Sequence, residues 1–380
     1  MAIACSHRFL QEVIAWFASR IREKNRWKES RVQKQDGIRV FYGYDFLLTS
    51  RDIASGGIVK TQDLQNEFPN TPRMPNLLYL ISSALPPYAP RMARLAKKAG
   101  AKVVLNQNGV AYPAWHGAGW ENTNQFMREV LQQADYVFYQ SHFCKLGADR
   151  YLDLRVKDCE ILYNPVDTSF FQPTTSVPPM TTIKLLLAGS HHHFYRVQSA
   201  IDTVRRLRDS GLDAVLEIAG RCCWAPEVSI AEGQLRQYLQ SHSLSEEVTV
   251  SGPYTQEQAP SLFQRAHILL HTKYNDPCPR LVVEAMASGL PVVYSASGGT
   301  PELVGGEAGI GVPAPLDWEN DHPPTADSLA NATEKIVANY NWYSSAARHR
   351  AVTIFDVNPW IERHHHVFDR LIKGVKIEYK

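Results

Sequence analysis

"DPCPRLVVEAMASGLPVVYSASGGTPELV", residues 276–304, decides how this 380-residue chain is read. "LVVEAMASG" has the composition of a helix, and Gly289 stands where a helix takes a left-handed closing residue. "LPVVYS" is a short apolar strand. Gly298 and Gly299 then lead into Pro301 and Glu302, the opening of another helix. Helix starts offer unpaired N–H groups and a partial positive charge, which together seat an anion. Asp276 and Glu284, eight residues apart, cannot bind that anion; they are suited to accept hydrogen bonds from neutral hydroxyls. Hydroxyls beside phosphates are the chemistry of a nucleotide sugar.

Outward from this segment, strands and helices alternate. "IRVFYGY" (38–44), "NLLYLIS" (76–82), "AKVVLNQ" (101–107), "YVFYQS" (136–141) and "CEILYN" (159–164) read as strands, with a glycine turn at Gly56-Gly57 feeding the first helix. "QPTTSVPPMTT" (172–182) is rich in Pro, Ser and Thr and reads as a linker. The alternation restarts with "IKLLLAG" (183–189), "AVLEIAG" (214–220), "VTVSG" (248–252) and "HILLHT" (267–272). Such alternation implies an α/β chain with parallel sheets covered by helices on both faces. The expected layout is two doubly wound domains, 36–173 and 183–354, joined by a linker at 174–182. A closing helix in 355–380 crosses back to the first domain. The cleft between two such domains, at the carboxyl ends of the strands, is the expected ligand site.

The bulk properties narrow the alternatives. A net charge of +2 gives no reason to expect nucleic acid as a partner. No run of about 18 apolar residues is present, as a membrane span would need, and the N-terminus carries charges where a signal peptide needs an apolar core. Residues 1–35 form a basic amphipathic segment. Phe9, Val13, Trp16, Phe17 and Ile21 recur at helical spacing beside Arg20, Arg22, Lys24, Arg26, Lys28 and Arg31. Such a helix packs on the first domain or lies on an anionic membrane surface. The expected location is therefore cytoplasmic, with peripheral membrane contact as the second option. Cys5, Cys144, Cys159, Cys222, Cys223 and Cys278 contain no C-x-x-C pair and read as reduced thiols. The triplets His191–His193 and His364–His366 are not read as metal sites, because successive side chains point in different directions. There is no D-x-D and no G-x-x-x-x-G-K-[ST], so neither a metal-held diphosphate nor a P-loop is indicated.

The opening segment resembles the signature of glycosyltransferase family 4, enzymes of the GT-B fold. The family pattern is an acid, seven residues, a Glu, A-x-A/S-G-x-P-V-V and a GG-x-P-E turn; here it reads Asp276, Glu284, "AMASGLPVV" and "GGTPE". "ILYNPVD" (161–167) is similar to the family's stretch before the linker, and Gly56-Gly57 to its glycine loop after the first strand. The resemblance covers nearly the whole chain after about residue 36. It implies metal-independent transfer of a sugar from a nucleoside-diphosphate donor to an acceptor hydroxyl, with retention at the anomeric carbon and no cofactor. It also implies roles: Glu284 on the donor ribose, Asp276 on the transferred sugar, and Gly298, Gly299 and Thr300 approaching sugar and phosphates. Ser251, Gly252, Pro253 and Tyr254 would border the base. Pro277 and Pro279 have no N–H to donate, so Cys278, Arg280 and Leu281 are the available backbone donors there. Where the family carries an Arg and a Lys for the diphosphate, this chain has Ser190 and Arg196. Asp276, Arg196 and Glu284 are thus the expected catalytic set. The acceptor is not legible.

Overall fold

The computed structural model describes residues 22–28, 37–53, 56–153, 158–176 and 178–374. The first sheet contains β1 (Val40–Phe41), β2 (Leu77–Ile81), β3 (Lys102–Gln107), β4 (Tyr136–Tyr139) and β5 (Cys159–Ile161), all parallel and in chain order. β2 and β4 are buried at every position, as continuous apolar runs demand when helices cover both faces. The second half of the chain supplies β6 (Ile183–Leu187), β7 (Ser190–His191), β8 (Ala214–Ala219), β9 (Arg221–Cys222), β10 (Val248–Gly252), β11 (Ile268–His271), β12 (Val292–Ala296) and β13 (Gly309–Pro313). Six of these form a parallel sheet in the order β10-β8-β6-β11-β12-β13, and β7 pairs separately with β9. The chain runs outward from β6 to β10, then returns to β11 on the other side of β6. That reversal opens a crevice at the carboxyl ends of β6 and β11, the place where doubly wound sheets hold ligands.

The two halves are clasped by buried side chains. Trp318, in the loop after β13, inserts among Tyr112, Phe143 and Tyr151 of the first domain and stacks on Phe143 at 4.8 Å. The helix Val357–Lys373 buries Trp360, Val367 and Phe368 against Val40, Tyr42, Tyr79 and Phe138 of the first half. His364 lies in that contact, its Nε2 3.0 Å from the Tyr79 hydroxyl and its Nδ1 2.8 Å from the Trp360 carbonyl. Burial pushes its pKa down to about 3, so it is a neutral core histidine.

Of the basic N-terminal segment, residues 22–28 are helical and pack on the first sheet. Trp27 is buried against Phe41, and Arg26 pairs with Glu23 at 2.6 Å and with Asp45. Phe9, Val13, Trp16, Phe17 and Ile21 lie outside the described residues, as do Arg20, Arg31 and Cys5. The described cysteines are free thiols. No helix among the described residues is long and apolar enough to cross a membrane.

Candidate functional site

A cleft of about 520 Å³ opens between the two sheets at the β6/β11 crevice. First-turn residues of three helices line it: Gly56 and Gly57 of Gly56–Gln65, Arg196 of Phe194–Asp209, and Arg280 and Leu281 of Arg280–Ala287. Close backbone approach forms its floor. A Cβ on Gly220 would lie 1.8 Å from the Gly189 carbonyl oxygen, and both glycines have positive φ, so only glycine fits the two turns after β6 and β8. A Cβ on Gly57 would meet the Ser83 hydroxyl at 2.8 Å.

One wall carries a buried charge cluster. Arg196 is 3% exposed; its Nη1 donates to the Ser190 carbonyl at 2.5 Å, while its Nε has no partner. The Thr272 hydroxyl donates to the Arg196 backbone carbonyl at 2.8 Å and ties the helix to the end of β11. Asp276 accepts from His271 Nε2 at 3.1 Å and lies 3.3 Å from Lys273 Nζ. Lys273 also sits over the Trp115 ring at 4.5 Å. Asn275, at φ 50°, turns the chain so that Lys273 and Asp276 meet, and is held by bonds to Ser297 Oγ and the Asp317 carbonyl, both 2.8 Å. Burial alone would raise the Asp276 pKa; Lys273, His271 and Arg196 outweigh it and hold the carboxylate well below its ordinary range. Burial lowers His271, which stays neutral. Burial lowers the pKa of both Lys273 and Arg196 and Asp276 opposes it, so two basic side chains face one carboxylate in this corner of the cleft.

The other wall carries Glu284. Its Oε1 accepts from Arg280 Nε at 2.8 Å and from Gln256 Nε2 at 2.9 Å. Arg280 reaches across the cleft to Asp63 of the first domain. Burial would lower the Arg280 pKa, but Asp63 and Glu284 raise it above its ordinary value. Cys278 is a buried thiol whose carbonyl accepts from Asn164 Nδ2 at 2.6 Å, and burial pushes its pKa up to about 12. Pro253, Tyr254 and Ser190 also line the cleft. From the first domain come Asn108 and Lys60. Lys60 Nζ lies 3.4 Å from Asn106 Oδ1, and burial brings its pKa down to about 7.

Five expected donor residues do not line the cleft. Gly298 and Gly299 lie behind the loop 275–277: a Cβ on Gly299 would be 2.0 Å from the Pro277 carbonyl, and Gly299 N donates to the Asp276 carbonyl at 2.8 Å. Thr300 is fully buried and opens a helix of only five residues. Glu302 in that helix faces the first domain, accepting from the backbone N–H of His142 at 2.8 Å and of Phe143 at 2.9 Å. The glycine pair therefore packs against the backbone of residues 275–277. Ser251 is exposed and bonded to Glu217, and Gly252 pairs in the sheet. The histidine triplet after β6 splits in direction. His191 is buried with Nε2 on the Ala219 carbonyl, His192 lines the cleft, and His193 lies 3.6 Å from Asp321. No group of three or more His, Cys, Asp or Glu able to hold a metal occurs among the described residues.

Sequence reasoning missed Lys273, His271, Gly189, Gly220, Gln256 and Asp63. Lys273 had a signal: it lies three residues before Asp276, in the loop after an apolar strand. Asp63 had none, since its partner is 217 positions away.

Known proteins share this fold. Anabaena HepE in complex with UDP-glucose superimposes with a TM-score of 0.64 at 18% identity, covering 78% of this chain and 79% of that one. The fold is GT-B. Residues 172–346 match the family model described as "Glycosyl transferases group 1". The gpi3 subunit of the Schizosaccharomyces pombe phosphatidylinositol N-acetylglucosaminyltransferase is 21% identical over 69% of this chain and 56% of its own length. D-inositol 3-phosphate glycosyltransferase of Corynebacterium diphtheriae is 25% identical over 46% of this chain and 43% of its own. The chain spans about half the length of these two relatives.

Proposed function

We propose that this GT-B chain is a retaining glycosyltransferase that moves a sugar from a nucleoside diphosphate to an acceptor hydroxyl without a metal. The observation that carries this reading is the cleft itself. Asp276 and Glu284 lie on its walls as buried carboxylates, and Arg196 and Lys273 supply surplus positive charge beside the first of them. Glu284 receives the ribose hydroxyls and Asp276 those of the sugar. Arg196, with the helix start it belongs to, faces the diphosphate. When the anomeric C–O bond breaks, its electron pair stays on the diphosphate oxygen. Arg196 and Lys273 stabilise that growing charge in place, without reorganisation of solvent. The acceptor oxygen bonds to the anomeric carbon from the face the diphosphate leaves, and its proton passes to a phosphate oxygen. Lys273 supplies the cation that Ser190 does not.

The structural neighbour bound to UDP-glucose makes UDP-sugars the first donors to try. Two relatives are named for transfer to inositol-bearing acceptors, so inositol phosphates and phosphatidylinositol lead the acceptor panel. Location on the cytoplasmic face of a membrane, through the N-terminal segment, would suit a lipid acceptor. The test is incubation with UDP-, GDP- and ADP-sugars and this panel. Nucleoside diphosphate release is measured, and the anomeric configuration of the product is read by NMR. An α-linked product from an α-donor is expected. Bound nucleotide with no turnover in any combination would instead identify a non-catalytic sugar-nucleotide-binding module.

A further inference from the structure

Arg280 joins the two domains at the residue that holds Glu284. Three of its nitrogens are engaged: Nε donates to Glu284 Oε1 at 2.8 Å, Nη2 donates to Asp63 Oδ1 at 3.2 Å, and Nη1 donates to Asp63 Oδ2. Asp63 lies on the helix Gly56–Gln65 of the first domain, so this fork crosses the cleft. Arg280 is buried at 8% exposed, and Asp63 is largely covered at 16%. The pair is therefore not one of the surface ion pairs that water screens to near nothing.

The consequence lies at Glu284. Its Oε1 already takes two donors, from Arg280 and Gln256, while no donor among the described residues reaches its Oε2. A guanidinium prefers to grip a carboxylate through two parallel N–H···O bonds. Here Asp63 receives that two-pronged grip through Nη1 and Nη2, and in the orientation it fixes, Arg280 meets Glu284 through Nε alone. Without Asp63 the fork is free to turn onto Glu284 and occupy both of its oxygens.

We propose that Asp63 is a positioning residue for the donor site: by holding the terminal nitrogens of Arg280 from the opposite domain, it keeps Glu284 Oε2 open to the hydroxyls of a nucleoside-diphosphate ribose. This rests on the reading that Glu284 receives the ribose. Ribose recognition is then completed only when the first domain is in place, so an open cleft holds its nucleotide more weakly than a closed one.

The test is calorimetric titration with UDP and with 2′,3′-dideoxy-UDP, repeated with the GDP and ADP pairs if uridine nucleotides are silent. The wild type should favour the ribonucleotide by about tenfold or more, the worth of hydrogen bonds to a charged group. Asp63→Ala should lose about tenfold in UDP affinity and little for the dideoxy nucleotide, so the discrimination collapses. Asp63→Glu should keep part of it. Asp63→Ala combined with Arg280→Leu removes the competing guanidinium and should recover discrimination. A merely structural role for Asp63 would weaken both nucleotides equally and would not be rescued by a second substitution. Wild-type discrimination in Asp63→Ala overturns the proposal, and so does a double variant as poor as the single one. A wild type that binds both nucleotides equally well would instead sink the ribose role of Glu284.

Discussion

Replacing Arg196 by alanine separates catalytic charge from structural charge. In the native cleft two buried cations, Arg196 and Lys273, face one ionised carboxylate, Asp276. Removing Arg196 leaves Lys273 and Asp276 balanced, so no uncompensated buried charge is created, the circumstance that makes such substitutions costly. The lost bond from Nη1 to the Ser190 carbonyl contributes about 1 kcal/mol, and removal of the unpartnered Nε offsets part of it. The tie from Thr272 uses the backbone carbonyl of residue 196 and survives. Stability should therefore change little. Turnover should fall by about 10²–10³, the loss typical of a group aimed at developing charge. Because that charge grows as the bond breaks, the loss should fall on kcat more than on KM, and Arg196→Lys should restore part of it. Steady-state kinetics at saturating donor, beside a urea melt, read both quantities. Kinetics within a few-fold of wild type would refute the assignment and leave Lys273 as the cation on the diphosphate.

Acid should weaken the fold in two stages. His191 and His364 are held neutral by burial, with pKa values of about 3 against an ordinary 6.5. The unfolded chain binds more protons below 6.5, so their stabilisation is complete above that pH and lost as the pH falls towards 3, by about 2–3 kcal/mol each at pH 4.5. Asp276, also depressed, adds a further loss below about pH 4. A urea midpoint that is flat from pH 7.5 to 4.5 would contradict this. Asp276→Asn leaves two buried cations without their carboxylate and should cost about 3 kcal/mol or more, part of it recovered with bound nucleoside diphosphate; a variant as stable as wild type would show that the cluster is not buried as described. Trp318→Ala empties the interdomain slot between Phe143 and Tyr151 and should cost about 3–5 kcal/mol in a urea melt. A loss below about 1 kcal/mol would show that the clasp is not formed in solution. Co-sedimentation with liposomes should favour anionic over neutral vesicles and weaken with salt, at roughly 1 kcal/mol per basic residue engaged; equal recovery from both would leave packing on the first domain as the whole role of residues 1–35.

The fold was legible because its strands are apolar on both faces and its helices end at glycines. "IKLLLAG", "HILLHT" and "PVVYS" carry the pattern of a buried parallel sheet in short windows. Asp276 and Glu284 were legible because eight positions separate them within one strand–helix–strand unit. The surroundings of Gly298 and Gly299 were not legible, because a glycine pair before Pro-Glu reads the same whether its backbone faces a ligand or a neighbouring loop. The contacts of Glu302 with His142 and Phe143 are set by tertiary packing and leave no local signal. Lys273 was overlooked because a loop lysine ordinarily points to water; only the positive φ of Asn275 folds it back onto Asp276. Lys273, in the loop after β11, thus brings positive charge to Asp276 that no local window reveals.

If the proposed function holds, the cleft binds a nucleoside diphosphate with Glu284 on its ribose and Arg196 beside its phosphates. Calorimetric titration of the wild type, Glu284→Gln and Arg196→Ala with UDP, GDP and ADP tests it most directly. Saturable one-to-one binding of at least one of them by the wild type is expected, weakened about tenfold or more by either substitution. Absence of binding for all three at millimolar concentration, or affinities unchanged in both variants, would contradict it.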